Sequence, residues 1–234
     1  MKDLHLIFDM DGTIVDSMPA HRDSFVRFAA RHGLTLGVHE LERVTNGRTG
    51  VECMHALFGA GLSQATAEDL AHEKESLYRE TFGADFRWVD GFERFARHAL
   101  ARGQRCGLGS AGDRHNIGFV LERLPQRGLG DMFEVAVGGD EGLPGKPDPS
   151  IFLEVARRMG VAAQDCLVFE DSPAGIEAAA RAGMRAVALL TSHDAAALAG
   201  PHVIAAVASY DELLALPGFQ GEPARPPAGL RRPA

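Results

Sequence analysis

Two carboxylates one residue apart, Asp9 and Asp11, close a short apolar run, Leu4–Phe8, and are followed directly by Gly12. Like charges this close are costly unless a metal ion or a shared proton compensates them. If the strand persists, its period of two puts both side chains on one side. A strand ending in an Asp-Gly turn is the plainer reading of the same residues. A calcium loop is excluded, because it needs Gly at its sixth position and Glu at its twelfth; counted from Asp9, these are Ile14 and Ala20. A second apolar run, Leu167–Phe169, ends in Glu170, Asp171 and Ser172. Asp171 or Ser172 could serve only as a helix cap. Taken together, however, Asp9, Asp11, Glu170 and Asp171 gather four carboxylates at strand ends. That implies a divalent cation, and all-oxygen ligation favours magnesium over zinc.

The other chemically suggestive segments bind anions. Gly109-Ser110-Ala111-Gly112 follows an apolar stretch, and a Ser hydroxyl with successive backbone N–H groups there makes a phosphate nest. The same stretch, from Gly107, matches G-x-G-x-x-G, so a dinucleotide-dependent enzyme is a rival class. Against it, the acidic residues about 20 positions on, Asp131 and Glu134, precede the next apolar run rather than ending it. Lys146 sits in Gly145-Lys146-Pro147-Asp148-Pro149, on a loop stiffened by proline. Pro147 replaces the Ser/Thr that a P-loop requires. Cys53, Cys106 and Cys166 are scattered, fit no zinc spacing or disulfide framework, and read as small buried hydrophobes.

These residues need a scaffold that presents strand ends. Leu4–Phe8, Leu167–Phe169 and Ala186–Leu190 read as strands buried on both faces; Arg105–Leu108, Val135–Val137 and Val203–Val207 are weaker candidates of the same kind. Helical spacing joins Phe92 to Leu100, Phe152 to Met159 and Ile176 to Ala180. This alternation predicts a doubly wound, Rossmann-like parallel α/β sheet. Residues 18–88 break it with three helical patterns, opened by Pro19, marked by Val51 to Phe58, and running from Leu70 to an end at Gly83. The expected division is an α/β core domain over 1–17 and 89–216, an inserted all-helical cap domain over 18–88, and a Pro/Gly-rich disordered tail over 217–234.

Composition narrows the partners. The net charge of −8 gives no general attraction for phosphate backbones, so nucleic acid is not expected. No apolar run approaches the ~18 residues of a membrane span, and the N-terminus lacks a signal-peptide pattern. The expected location is the cytoplasm, with no membrane partner; no protein partner is inferable.

In order along the chain, DMDGT, the Ser110 loop, GKPDPSIF and FEDSPAGIEAA resemble the haloacid dehalogenase superfamily, over nearly the whole length from Leu4 to about Leu214. The helical block after the first motif is similar to the cap of its β-phosphoglucomutase-like branch. His21, Arg48 and Lys74 resemble that branch's substrate contacts, with the surroundings of Arg48 closer to its sugar- and polyol-phosphate phosphatases. Val89-Asp90-Gly91 departs from the Pro-Gly of many members. The resemblance implies a magnesium-dependent phosphatase of a small sugar or polyol phosphate monoester. Asp9 is then the nucleophile that forms an aspartyl-phosphate, and Asp11 the general acid–base. Ser110, the Ala111 N–H and Lys146 bind the phosphoryl oxygens. Magnesium is held by Asp9, the Asp11 carbonyl and Asp171, with Glu170 direct or one layer out. An acid at Asp11 separates the chain from true dehalogenases, which have no alcohol to protonate. The alternative within the resemblance is a hexose phosphomutase of the β-phosphoglucomutase type; a non-catalytic binding module is a remote one.

Overall fold

The computed structural model describes residues 4–35, 37, 40, 44 and 48–220. Six strands, β1 (His5–Phe8), β2 (Cys106–Gly109), β3 (Val135–Val137), β4 (Cys166–Glu170), β5 (Arg185–Leu189) and β6 (Val203–Val207), form one sheet in the order β3-β2-β1-β4-β5-β6. Every neighbouring pair is parallel. The central strands β1, β2 and β4 are buried on both faces, as parallel strands between helices are, which is why β1 and β4 read as unbroken apolar runs; the edge strands β3 and β6 are only partly buried and read more weakly. Leu6 and Phe8 enter one core layer with Leu108, Leu167 and Phe169, while Ile7 enters the opposite layer with Val137 and Val168. Phe8 and Phe169 stack across β1 and β4 with centroids 4.5 Å apart. Truncating either to Ala removes about 3–5 kcal/mol.

The first layer is closed by α4 (Phe92–Ala101), α5 (Arg114–Leu121) and α8 (Tyr210–Ala215). The second is closed by α6 (Ser150–Met159) and α7 (Pro173–Arg181). The strand order reverses at β1, so the crevice for a ligand lies beyond the carboxyl ends of β1 and β4. Gly107 and Gly109, two of the glycines of G-x-G-x-x-G, are explained by packing. A Cβ at Gly107 would lie 2.4 Å from Val155 of α6.

Between β1 and α4 the described residues form α1 (Met18–Arg31), α2 (Gly50–Phe58) and α3 (Gln64–Ala84), with no strand among them. They enclose a small core of their own, including Phe25, Phe28, Met54, Ala67 and Leu77. α2 begins with a capping box in which Glu52 Oε2 accepts from Thr49 N at 2.7 Å. Helix α3 does not stop at Gly83 as the sequence suggested; it runs to Ala84. α8 was not foreseen, being only one and a half turns long. Phe219, placed by sequence in the tail, is buried against the first core layer. The rest of that tail, from 221, lies outside the described residues. Among the described residues no helix is long and apolar enough to cross a membrane.

Candidate active site

β1 ends at Phe8, and the chain then turns instead of continuing as a strand: Thr13, Ile14 and Val15 all donate backbone N–H groups to the Met10 carbonyl. Strand alternation is therefore not what aligns Asp9 and Asp11. The turn depends on Gly12, whose φ is +74° and whose absent Cβ would lie 2.0 Å from Asp171 Oδ2. Only glycine allows the two acidic segments to approach this closely.

Asp9 and Asp171 are buried, as is Glu170, the last residue of β4. One oxygen from each of the three lies within 4.8 Å of the others. Lys146 reaches in from its loop and donates to Asp9 Oδ1 at 2.6 Å and to Glu170 Oε1 at 2.7 Å. Burial works against the Lys146 ammonium, but the two carboxylates outweigh it and raise its pKa. Burial drives the Asp9 carboxyl up to about 8, against the pull of Lys146 and with a push from Glu170. Burial, with Glu170 and Asp9, also holds Asp171 well above the usual carboxylate range. Three buried carboxylates thus face one ammonium. Such a cluster is short of positive charge, and its all-oxygen donors suit a hard divalent cation. Glu170 Oε2 accepts from the N–H groups of Asp171 and Ser172 at 2.6 and 2.7 Å. With Oε1 on Lys146, both its oxygens are engaged. Ser172 caps α7, accepting from Gly175 N at 3.1 Å; Asp171 does not.

Asp11 departs from the expected four-carboxylate group, since its side chain turns towards the helical segment. Its Oδ1 accepts from Ser17 Oγ at 2.6 Å and from Tyr78 OH at 3.1 Å, and His21 Nε2 lies 3.1 Å away. Burial alone would raise the Asp11 pKa, but the attraction and hydrogen bond of His21, with those of Ser17 and Tyr78, bring it down to about 2. His21 stacks on Tyr78 with ring centroids 3.8 Å apart. Lys74 Nζ lies 3.3 Å from His21 Nδ1.

Ser110 follows β2, and its Oγ accepts from Gly112 N at 3.0 Å, leaving its own O–H to donate elsewhere. Arg48 stands just before the capping box that fixes the start of α2 and donates to the Val44 carbonyl at 3.2 Å. Asp9, Asp11, His21, Arg48, Lys74, Ser110, Ala111, Lys146, Glu170 and Asp171 all line one cavity of about 180 Å³. All ten candidate site residues read from the sequence are therefore brought to one place. Sequence reading missed Ser17, Glu75, Tyr78 and Asn116. A Ser ahead of Pro19 reads as a helix cap, yet Ser17 makes no side-chain cap bond. Tyr78 reads as one more apolar position of α3; its spacing of four from Lys74 was the available signal.

The fold and this carboxylate–lysine cluster define a hydrolase of the haloacid dehalogenase type. A family model for haloacid dehalogenase-like hydrolases matches residues 5–183, and the chain belongs to that family. It is 31% identical over 188 residues to protein CbbY of Rhodobacter capsulatus, spanning 78% of this chain and 83% of that one. It is 32% identical over 185 residues to the fructose-1-phosphate phosphatase YqaB of Escherichia coli, spanning 78% and 94% of the two. A β-phosphoglucomutase from Clostridium difficile shares the fold, with a TM-score of 0.75 at 24% identity over 89% of this chain and 92% of that one.

Proposed function

We propose that this chain is a magnesium-dependent phosphatase that hydrolyses a small sugar or polyol phosphate through an aspartyl-phosphate on Asp9. The observation that carries the reading is Lys146, buried and bonded to both Asp9 and Glu170 beside Asp171 at the floor of the cavity. Naming of a relative as a fructose-1-phosphate phosphatase supports the substrate class. The cavity, at about 180 Å³, is small for a ligand pocket and favours a small metabolite.

Asp9 Oδ2 and Asp171 are the side chains that would hold magnesium, with the Asp11 carbonyl. Glu170, both oxygens engaged, positions Lys146 and the Asp171 backbone. When bound, the cation neutralises the cluster and the charge of the phosphoryl group. Lys146 lowers the cost of an ionised Asp9, which attacks phosphorus in line. Ser110 Oγ–H, the Ala111 N–H and the Lys146 ammonium are fixed donors for the phosphoryl oxygens as charge develops. Asp11 is in its base form in this arrangement, suited to taking the proton of the attacking water. For the first half-reaction it must carry a proton, and the negative charge of an incoming phosphate raises its affinity for one. Residues 18–88 act as a cap domain on the core of 1–17 and 89–216, and His21, Arg48 and Lys74 contact the part of the substrate that does not react.

A panel of sugar and polyol phosphates, assayed with magnesium and with EDTA, tests this. Phosphate release that needs magnesium and favours one member is expected. Turnover that is unchanged in EDTA refutes the metal role. A requirement for hexose 1,6-bisphosphate, with an isomerised sugar phosphate as product, assigns a phosphomutase instead.

A further inference from the structure

We propose that Glu75 and Asn116 form a latch that closes the helical segment onto the α/β body and, in closing, fixes Lys74 in the cavity; only the kinetic arm of its test rests on the phosphatase reading. Glu75 lies on α3 and Asn116 on α5, the helix that follows the Ser110–Gly112 loop. Both are buried, Asn116 completely. Asn116 Nδ2 donates to Glu75 Oε2 at 2.6 Å, and Asn116 Oδ1 accepts from Arg79 Nη1 at 2.8 Å. Its backbone N–H donates to Asp113 Oδ1 at 2.8 Å. The amide is thus held in one orientation, because a flip would set its oxygen against a carboxylate and its NH2 against a guanidinium.

The other Glu75 oxygen, Oε1, pairs with the Lys74 ammonium. That ammonium also lies 4.3 Å above the Phe25 ring and 3.3 Å from His21 Nδ1, the Nε2 of the same ring standing 3.1 Å from Asp11 Oδ1. One carboxylate therefore has an oxygen for the body and an oxygen for the cavity cation. Burial would raise the Glu75 pKa, but Lys74 and His21 outweigh it and keep the carboxylate ionised. A buried polar chain is stable only when every member has its partner. Opening the seam hydrates the chain and closing restores it whole, so the contact favours two discrete arrangements over a graded one. Lys74 is presented to a substrate only in the closed arrangement, which makes Glu75 and Asn116 positioning residues.

The test inverts the bond. Asn116→Asp sets two carboxylates face to face and should open the seam. The double variant with Glu75→Gln restores one donor and one acceptor in reversed order, and Arg79 still has an oxygen to bond. Hydrogen exchange of residues 64–84 and 113–121 should quicken in Asn116→Asp and return in the double variant. kcat/KM for the preferred sugar phosphate should fall on the order of 10–100-fold in Asn116→Asp, the loss of a charge-assisted bond. p-Nitrophenyl phosphate, which offers no sugar hydroxyl to Lys74, should lose proportionally less. Glu75→Gln alone keeps an acceptor for Asn116, so exchange should stay near wild type while KM for the sugar phosphate rises. Asn116→Ala, which adds no charge, should shift exchange in the same direction and covers the case in which Asn116→Asp fails to fold. Unchanged exchange in the single Asn116 variants, or a double variant that does not recover, overturns the latch. If the wild type hydrolyses neither ester, the phosphatase reading fails, and the exchange comparison still decides the latch.

Discussion

Lys146→Met leaves the packing volume at the cavity floor nearly unchanged and removes the ammonium that bonds Asp9 and Glu170 at 2.6 and 2.7 Å. Breaking a buried pair by removing one partner costs about 3–5 kcal/mol. For a chain of this size each kcal/mol lowers Tm by about 2–4 °C, so a drop of roughly 6–20 °C is expected. The pH dependence has a definite sign. The Lys146 pKa is raised, so its stabilisation is fully present below its ordinary value and is intact from pH 6 to 9. The Asp9 carboxyl, already pushed up to about 8, rises further when Lys146 is gone. At pH 6 the variant can neutralise Asp9 by taking up a proton. At pH 9 it must bury that carboxylate charged or unfold, so the gap to wild type widens as pH rises. Differential scanning calorimetry in EDTA, which keeps a metal from compensating, reads both effects. A Tm within about 2 °C of wild type, below even a 1 kcal/mol loss, or a gap that shrinks with pH, refutes the assignment of Lys146 as the countercharge of the cluster.

Other substitutions separate the remaining roles. Asp11→Ala orphans the buried Ser17 and Tyr78 hydroxyls, so a lower Tm is expected with the fold kept, and it should cost roughly 10²–10⁴-fold in rate for a sugar-alcohol leaving group, and less in single-turnover phosphorylation by a phenyl phosphate; equal losses for the two esters would count against acid catalysis. Arg48→Ala should lower kcat/KM about 10–150-fold for the preferred sugar phosphate and much less for a generic ester, and equal proportional losses would remove Arg48 from the specificity contacts. The Glu75 pKa is depressed in the folded state, so its stabilisation is present above the ordinary glutamate value and is lost as pH falls through the folded one. Acid titration of Tm below about pH 4.5 should therefore be shallower in Glu75→Gln than in wild type. Parallel curves would show that the carboxylate gains nothing from Lys74.

The middle of the sheet was legible because its central strands are buried on both faces, so Leu4–Phe8 and Leu167–Phe169 stand out as apolar runs with carboxylates at their ends. The Ser110 loop and Lys146 stood out only when the four motifs were taken together, because a Gly-rich turn and a loop lysine are each ordinary by themselves. The path of the chain after Phe8 was not. Alternation extrapolated the strand through Asp11, whereas Gly12 and the crowding by Asp171 impose a turn. That turn sends Asp11 to Ser17, Tyr78 and His21 rather than to the other three carboxylates. Glu75 and Asn116 were invisible for a different reason. Each reads as an ordinary polar position of its helix, and they lie 41 residues apart. Only the packing of α3 on α5 makes them a pair.

Covalent capture at Asp9 tests the central claim most directly. In Asp11→Ala, a p-nitrophenyl phosphate substrate can phosphorylate the enzyme without an acid, while attack by water lacks its base, so the intermediate should accumulate. Rapid acid quench, borohydride reduction and peptide mass spectrometry should then find homoserine at position 9, in an amount matching the burst of nitrophenol. The Asp9→Asn enzyme should show neither burst nor turnover. A burst with the label on another residue, or turnover that survives Asp9→Asn, contradicts nucleophilic catalysis by Asp9.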